Sequence, residues 1–347
     1  MMERDKLSRR DFLKRSSLAL GGFAAGALTP PSPGSEPAKT VQVDHAHNYN
    51  PKMGYRRLGK TNIMVSEIGL GGHWGTGLKN REEVLTRAAE LGMNYLDTNM
   101  VSECELYGQA LKGMRDKWYI GFASCPFTLT DPENVTAEVM RKHIEDALKN
   151  YRTETLDIWR PVGTTYQEDQ TAQLEDRVLD TVVAVFDKAR KEGKVRWLGI
   201  AVHNPTNIRH VLNNYPSFSV ILFPYFFVTQ DKPGDSLISL ANEKDVGVIA
   251  FKAFGGGLAF RGLRERGRSG LDRVSAAMLK KVLANQGISS VLSGVADTLQ
   301  LEINVRASYE RMRELTSGEL ERLRRREAIF FANVPPEYVW LKKWEYV

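Results

Sequence analysis

Cysteine is nearly missing from this sequence: two residues, Cys104 and Cys125, among 347. There is no Cys-x-x-Cys and no cluster of cysteine with histidine. A zinc site or an iron–sulfur cluster therefore has no ligand set to build on. No glycine-rich turn leads directly into a helix. "GLGGHWG" (69–75) carries Trp74 in the wrong place, which argues against a doubly wound dinucleotide-binding sheet. There is also no basic stripe with interleaved aromatics. The formal net charge is +6, and six Lys/Arg against three Asp/Glu fall in the first 27 residues, leaving about +3 elsewhere. Nucleic acid is thus not an expected partner, and "ERLRRREA" (321–328) reads as one solvated helix face.

What is present begins with a basic N-terminus, an apolar stretch of about a dozen residues, then small residues and prolines. That stretch is too short to span a bilayer comfortably. Arg9 and Arg10, followed by Asp11, Phe12, Leu13 and Lys14, resemble a twin-arginine export signal. The expectation is a signal segment over 1–27, cut after "AGA" or kept as an anchor, with a periplasmic or other extracytoplasmic destination. The membrane enters only through this segment. A Pro-rich linker is expected over 28–52; within it "DHAHN" (44–48) reads as unstructured spacer, with a weak metal site as the alternative.

From Tyr55 onward, short apolar runs alternate with amphipathic segments. "YRRLGKTNIMVS" reads as a hairpin turning near 59–62. Eight strand–helix pairs follow, with strands at "EIGLGG", "NYLDTN", "WYIGFAS", "LDIWRPV", "VRWLGIAV", "SVILFPY", "VGVIAFKAF" and "SSVLSGV". The intervening helices show apolar spacings of three and four. Eight such units predict an α/β fold, a closed (β/α)8 TIM barrel over 53–327 with an N-terminal β-hairpin and an aromatic C-terminal extension over 328–347. That tail either covers the barrel mouth or packs across the outer helices.

Six pieces, in order, resemble the aldo/keto reductase family: the opening hairpin, "NYLDTN", "ALKNYRTETLDIW", "WLGIAVHNP", "VGVIAFKAFGGG" and "SGVADTLQLEINVRA". The resemblance implies carbonyl reduction with NADPH or NADH. It also implies four site residues: an Asp after strand two, a Tyr five positions on, a Lys closing strand three and a His closing strand four. The Tyr would be the general acid, its pKa adjusted by the Lys cation that the Asp holds. Only Asp97 matches. Ser102 stands at the Tyr position, with a hydroxyl too weakly acidic to replace a phenol unaided. Ala123 stands for the Lys and Val162 for the His. Tyr107, mid-helix, reads as core packing. Arg160 lies two residues before Val162 and shares its inward face. It is expected to pair with Asp97 in place of the lost Lys; otherwise it points to the rim.

The dinucleotide positions implied by the resemblance are similarly altered. Ala201, Val202 and Leu222 replace polar holders of the carboxamide. Phe251 either stacks on a nicotinamide or is core. Lys252, Gly255, Gly256 and Gly257 either meet a pyrophosphate or form a rim salt bridge and a loop. Asp297 stands where a basic residue would grip a 2′-phosphate and would repel it. Ile303 replaces an acidic residue, and Asn304 survives. NAD or NADP is the cofactor implied, with no metal. His73, Trp74, Ser124 and His203 stand near strand ends and outline a pocket for a small molecule. Cys104 and Cys125 lie on adjacent units, where an oxidising compartment permits a disulfide. Two readings remain open: an exported oxidoreductase with an altered or lost carbonyl-reductase site, or a barrel without catalysis that binds a small molecule or partner protein at its mouth.

Overall fold

The structure is a computed structural model. It describes residues 43–71, 80–123, 127–131, 133, 135–163, 173–227, 236–260 and 272–334. Four positions singled out in the sequence, His73, Trp74, Ser124 and Cys125, lie outside these, as do residues 1–42.

A short antiparallel hairpin opens the fold: β1 (Tyr55–Arg57) pairs with β2 (Met64–Ser66). A 3-10 turn at Gly59–Thr61 joins them, closed by Asn62 in the left-handed region. The barrel strands are β3 (Ile68–Gly71), β4 (Tyr95–Thr98), β5 (Tyr119–Phe122), β6 (Leu156–Trp159), β7 (Val195–Ala201), β8 (Phe218–Pro224), β9 (Gly247–Phe251) and β10 (Ser290–Ser293). All pair in parallel, and β10 closes on both β9 and β3. The described helices are α1 (Arg81–Glu90), α2 (Val101–Ala110), α3 (Ala137–Tyr151), α4 (Asp176–Lys191), α5 (Pro205–Asn214), α6 (Ser236–Glu243), α7 (Asp272–Leu283), α8 (Thr298–Tyr309) and α9 (Ser317–Ala332). The barrel expected from the sequence is the fold observed.

Two apolar layers follow from strand alternation. Outward residues such as Leu96, Ile120, Leu198 and Ile221 meet the helices in the main core. Inward residues Tyr95, Ile158, Ala201, Val220, Leu222, Ile249 and Leu292 fill the barrel together with Leu58, Ile63 and Val65 of the hairpin. The hairpin therefore plugs the N-terminal end. Arg56 rivets it there: its Nε donates to Glu67 Oε1 (2.9 Å), and its Nη atoms donate to the carbonyls of Leu283 (2.9 Å), Asn285 (3.0 Å) and Ile288 (2.7 Å).

Two boundaries differ from the sequence reading. Residues 44–48 are not unstructured spacer: Val43–His45 is a 3-10 turn, and Asn48 Nδ2 donates to the carbonyls of Met93 and Lys117. His47 lies against the Tyr119 ring, centroids 4.5 Å apart. At the other end, α9 runs through residue 328 to Ala332. Its Phe330 packs against Phe226 and Phe227 beyond β8 and against Gly255 beyond β9. Among the described residues, no helix is long and apolar enough to cross a membrane.

Candidate functional site

The C-terminal ends of β4 and β6 bring the expected pair together. Arg160 Nε donates to Asp97 Oδ2 at 2.8 Å, and Arg160 Nη2 donates to Asp97 Oδ1. The side chains are 3% and 0% exposed, so the pair has left water entirely. Arg160 Nη2 also donates to the Thr98 carbonyl (3.0 Å) and to Asn99 Oδ1 (2.5 Å). A buried guanidinium persists only with such compensation.

Beneath the carboxylate lies a phenol not singled out in the sequence. Tyr95, two residues earlier on the same inward face, donates to Asp97 Oδ2 at 2.9 Å. The space comes from Gly121, opposite Asp97 on β5; a Cβ there would overlap Tyr95 Oη and Asp97 Oδ2. Burial pushes the Tyr95 phenol well above its ordinary pKa. It stays protonated and serves as a fixed donor. Burial also lifts the Asp97 carboxyl above the usual carboxylate range, while the guanidinium and the phenol pull against that lift. Strand alternation puts Tyr95 on the same face as Asp97, but its bond depends on the glycine opposite, which only the register reveals.

The β4–α2 loop is short. Asn99 and Met100 alone separate the strand from the helix, and Asn99 N–H donates to Glu103 Oε2 at 3.0 Å. Ser102 is the second residue of α2 and is exposed; no bond joins it to Asp97 among the described residues. Ala123 and Val162 are buried. Tyr107 is buried core, as expected, with the Arg81 guanidinium 4.8 Å from its ring centroid. Cys104 is a free, buried thiol. Burial pushes it up to about 12, so the thiol stays protonated near neutral pH.

Across the barrel, Phe251 ends β9 half-buried, edge-on to His203 with centroids 5.2 Å apart. Ala201, Val202 and Leu222 are buried and apolar, and offer no side-chain donor to a carboxamide. Lys252 adopts φ +57°, and Gly256 is exposed with φ +66°. Gly255 has a packing role: a side chain there would run into Phe330. Asp297 caps α8, accepting from Gln300 N–H at 2.8 Å, and Gln300 Oε1 accepts from Ala296 N–H. Asn304 is buried and donates to Ser293 Oγ at 2.7 Å. Asp297 and Asn304, the positions that the resemblance sets against a dinucleotide's adenosine half, are thus each engaged by neighbouring groups of the protein. Ala201, Val202 and Leu222 at the carboxamide positions and the acidic Asp297 at the 2′-phosphate position do not fit a nicotinamide dinucleotide seated in the manner the resemblance implies. Among the described residues, no group of three or more His, Cys, Asp or Glu could hold a metal.

A model of the aldo/keto reductase family matches residues 67–304, which spans β3 to α8. The chain belongs to the aldo/keto reductase family. Members of this family typically use NAD(P)H. An uncharacterized oxidoreductase, YqkF of Bacillus subtilis, is 24% identical over 309 residues, covering 77% of this chain and 94% of the relative. L-galactose dehydrogenase of Arabidopsis thaliana is 26% identical over 296 residues, covering 75% and 89%. Among solved structures, the aldo-keto reductase AKR11C1 of Bacillus halodurans, in its holo form, is similar with TM-score 0.59 and 22% identity. It covers 79% of this chain and 96% of that one. At that identity the likeness is one of fold.

Proposed function

We propose that this protein is an exported aldo/keto reductase-family barrel, an oxidoreductase by descent, that binds a small molecule at its mouth and no longer reduces carbonyls through a tyrosine. One observation carries the reading: Asp97 is engaged by the Arg160 guanidinium, with the Tyr95 phenol sealed beneath it. A guanidinium holds its proton throughout the accessible pH range and cannot relay one. The nearest phenol is fully buried, so no acid of the family's kind faces a substrate from this cluster. The relatives' oxidoreductase and dehydrogenase names support the descent. The twin-arginine motif at Arg9 and Arg10 supports export.

A second reading, an oxidoreductase with altered chemistry that still uses NADH or NADPH, draws on the retained Asp97 and on Phe251 at the nicotinamide-stacking position. Titration with NADH and NADPH, followed through the six tryptophans, separates the two. The proposal expects no response below roughly millimolar concentration and no oxidation of either with benzaldehyde. Tight binding with steady aldehyde turnover would overturn it. Export is tested separately: replacing Arg9 and Arg10 by lysine should hold the precursor in the cytoplasm, and undiminished export refutes the signal.

A further inference from the structure

Asn99 ends the β4 strand path two residues past Asp97, half-buried, at the end of the barrel where such folds place their sites. Its amide is not free to choose an orientation. A guanidinium carries donors only, so the group facing Arg160 Nη2 at 2.5 Å must be the carbonyl oxygen Oδ1. The planar amide then fixes Nδ2 on the other branch of the side chain, about 120° from Oδ1 around the sp2 amide carbon. The main chain is pinned as well, by the bond from Asn99 N–H to Glu103 Oε2. Nδ2 itself makes no hydrogen bond to any described residue. The result is an oriented pair of N–H donors, held by an ion pair on one side and by a buried carboxylate on the other.

We propose that Asn99 Nδ2 is a ligand-binding donor of this barrel, recognising an sp2 oxygen, carbonyl or carboxylate, on a small molecule entering at the mouth. The inference rests on the reading that this mouth binds a small molecule, and it names the group that does so. A preorganised donor loses little freedom when it binds, which favours an acceptor placed there. The same donors offer a cation no lone pair, because both Nδ2 hydrogens donate and neither accepts. Neither the Tyr position nor the dinucleotide positions of the resemblance include residue 99.

The test uses the folded wild-type protein and three probes: benzoate, benzaldehyde and benzylamine. The Asn99 side-chain amide gives a pair of 15N-coupled proton resonances, identified by their loss in Asn99→Asp. That variant keeps an acceptor toward Arg160 and replaces the outward donor by an acceptor. Benzoate or benzaldehyde should shift the pair, benzylamine should not, and Asn99→Asp should weaken the responding probe about tenfold or more. A response to benzoate alone assigns a carboxylate ligand, and to benzaldehyde alone a carbonyl ligand. If neither probe moves the resonances at roughly 10 mM, or if Asn99→Asp binds as well as wild type, the proposal is wrong. Steady NADH- or NADPH-dependent reduction of benzaldehyde would instead sink the reading beneath it, leaving the amide shift as measured.

Discussion

The two ends of this barrel each hold an arginine against a carboxylate, and the two pairs are built differently. At the N-terminal end Arg56 meets Glu67, but it also reaches three backbone carbonyls of the α7–β10 connection, and its side chain is 15% exposed. Glu67 is secured in turn by Ser308, whose hydroxyl donates at 2.7 Å. That pair fastens one segment to another. At the mouth, Arg160 and Asp97 are sealed from water, and the contacts described for Arg160 come from β4 and the loop that follows it. The lower pair holds the plug in place. The upper one encloses Asp97, the position that matches the family's aspartate, together with the Tyr95 phenol.

The largest expected difference comes from breaking each pair. Asp97→Asn leaves a desolvated guanidinium without its counter-charge and should cost roughly 3–5 kcal/mol in chemical denaturation. Glu67→Gln should cost less, about 1–3 kcal/mol, because Arg56 keeps its carbonyl partners and an amide oxygen. Equal losses at both ends would erase the distinction. Gly121→Ala comes next. Its methyl must displace Tyr95 or Asp97, at a cost of about 1–3 kcal/mol, while a neutral outcome would mean the cluster is looser than described. Tyr95→Phe deletes one donor to a buried carboxylate and should cost about 1–2 kcal/mol, read as a lower melting temperature.

The exposed Arg313–Glu319 pair supplies the lower bound. Arg313 holds the Glu319 carboxyl down to about 2. A depressed folded-state value stabilises the protein above the unfolded pKa, roughly 4.3, and the contribution is lost as pH falls from there toward 2. With side chains 44% and 16% exposed, the effect should stay under about 1 kcal/mol. Glu319→Gln should therefore flatten the acid limb of the stability profile only slightly, and a large change would contradict the ranking of the three pairs.

The upper pair was legible in the sequence because strand alternation alone places Arg160 on the inward face, and a buried charge requires a partner. Asp97 was the remaining candidate of the family's four. Tyr95 and Asn99 were not read as site residues. Their roles arise from what stands opposite them, Gly121 for one and the Arg160 guanidinium for the other, and no periodicity encodes that. Asn48 escaped for a related reason. It ties the segment before the hairpin to the carbonyls of Met93 and Lys117, contacts that leave no apolar pattern in a polar, histidine-containing stretch. The end of α9 was misplaced because Phe330 and Phe331 look like an aromatic tail. They belong instead to the helix that packs against the loop after β9.

A double-mutant cycle between Asp97 and Arg160 tests the core of this account, using Asp97→Asn, Arg160→Met and the double variant in denaturant. The sealed ion pair predicts a coupling above about 2 kcal/mol, with the double variant recovering much of the loss caused by Asp97→Asn alone. Additivity to within about 0.5 kcal/mol would show that the two groups do not hold each other and that the carboxylate is available for other work.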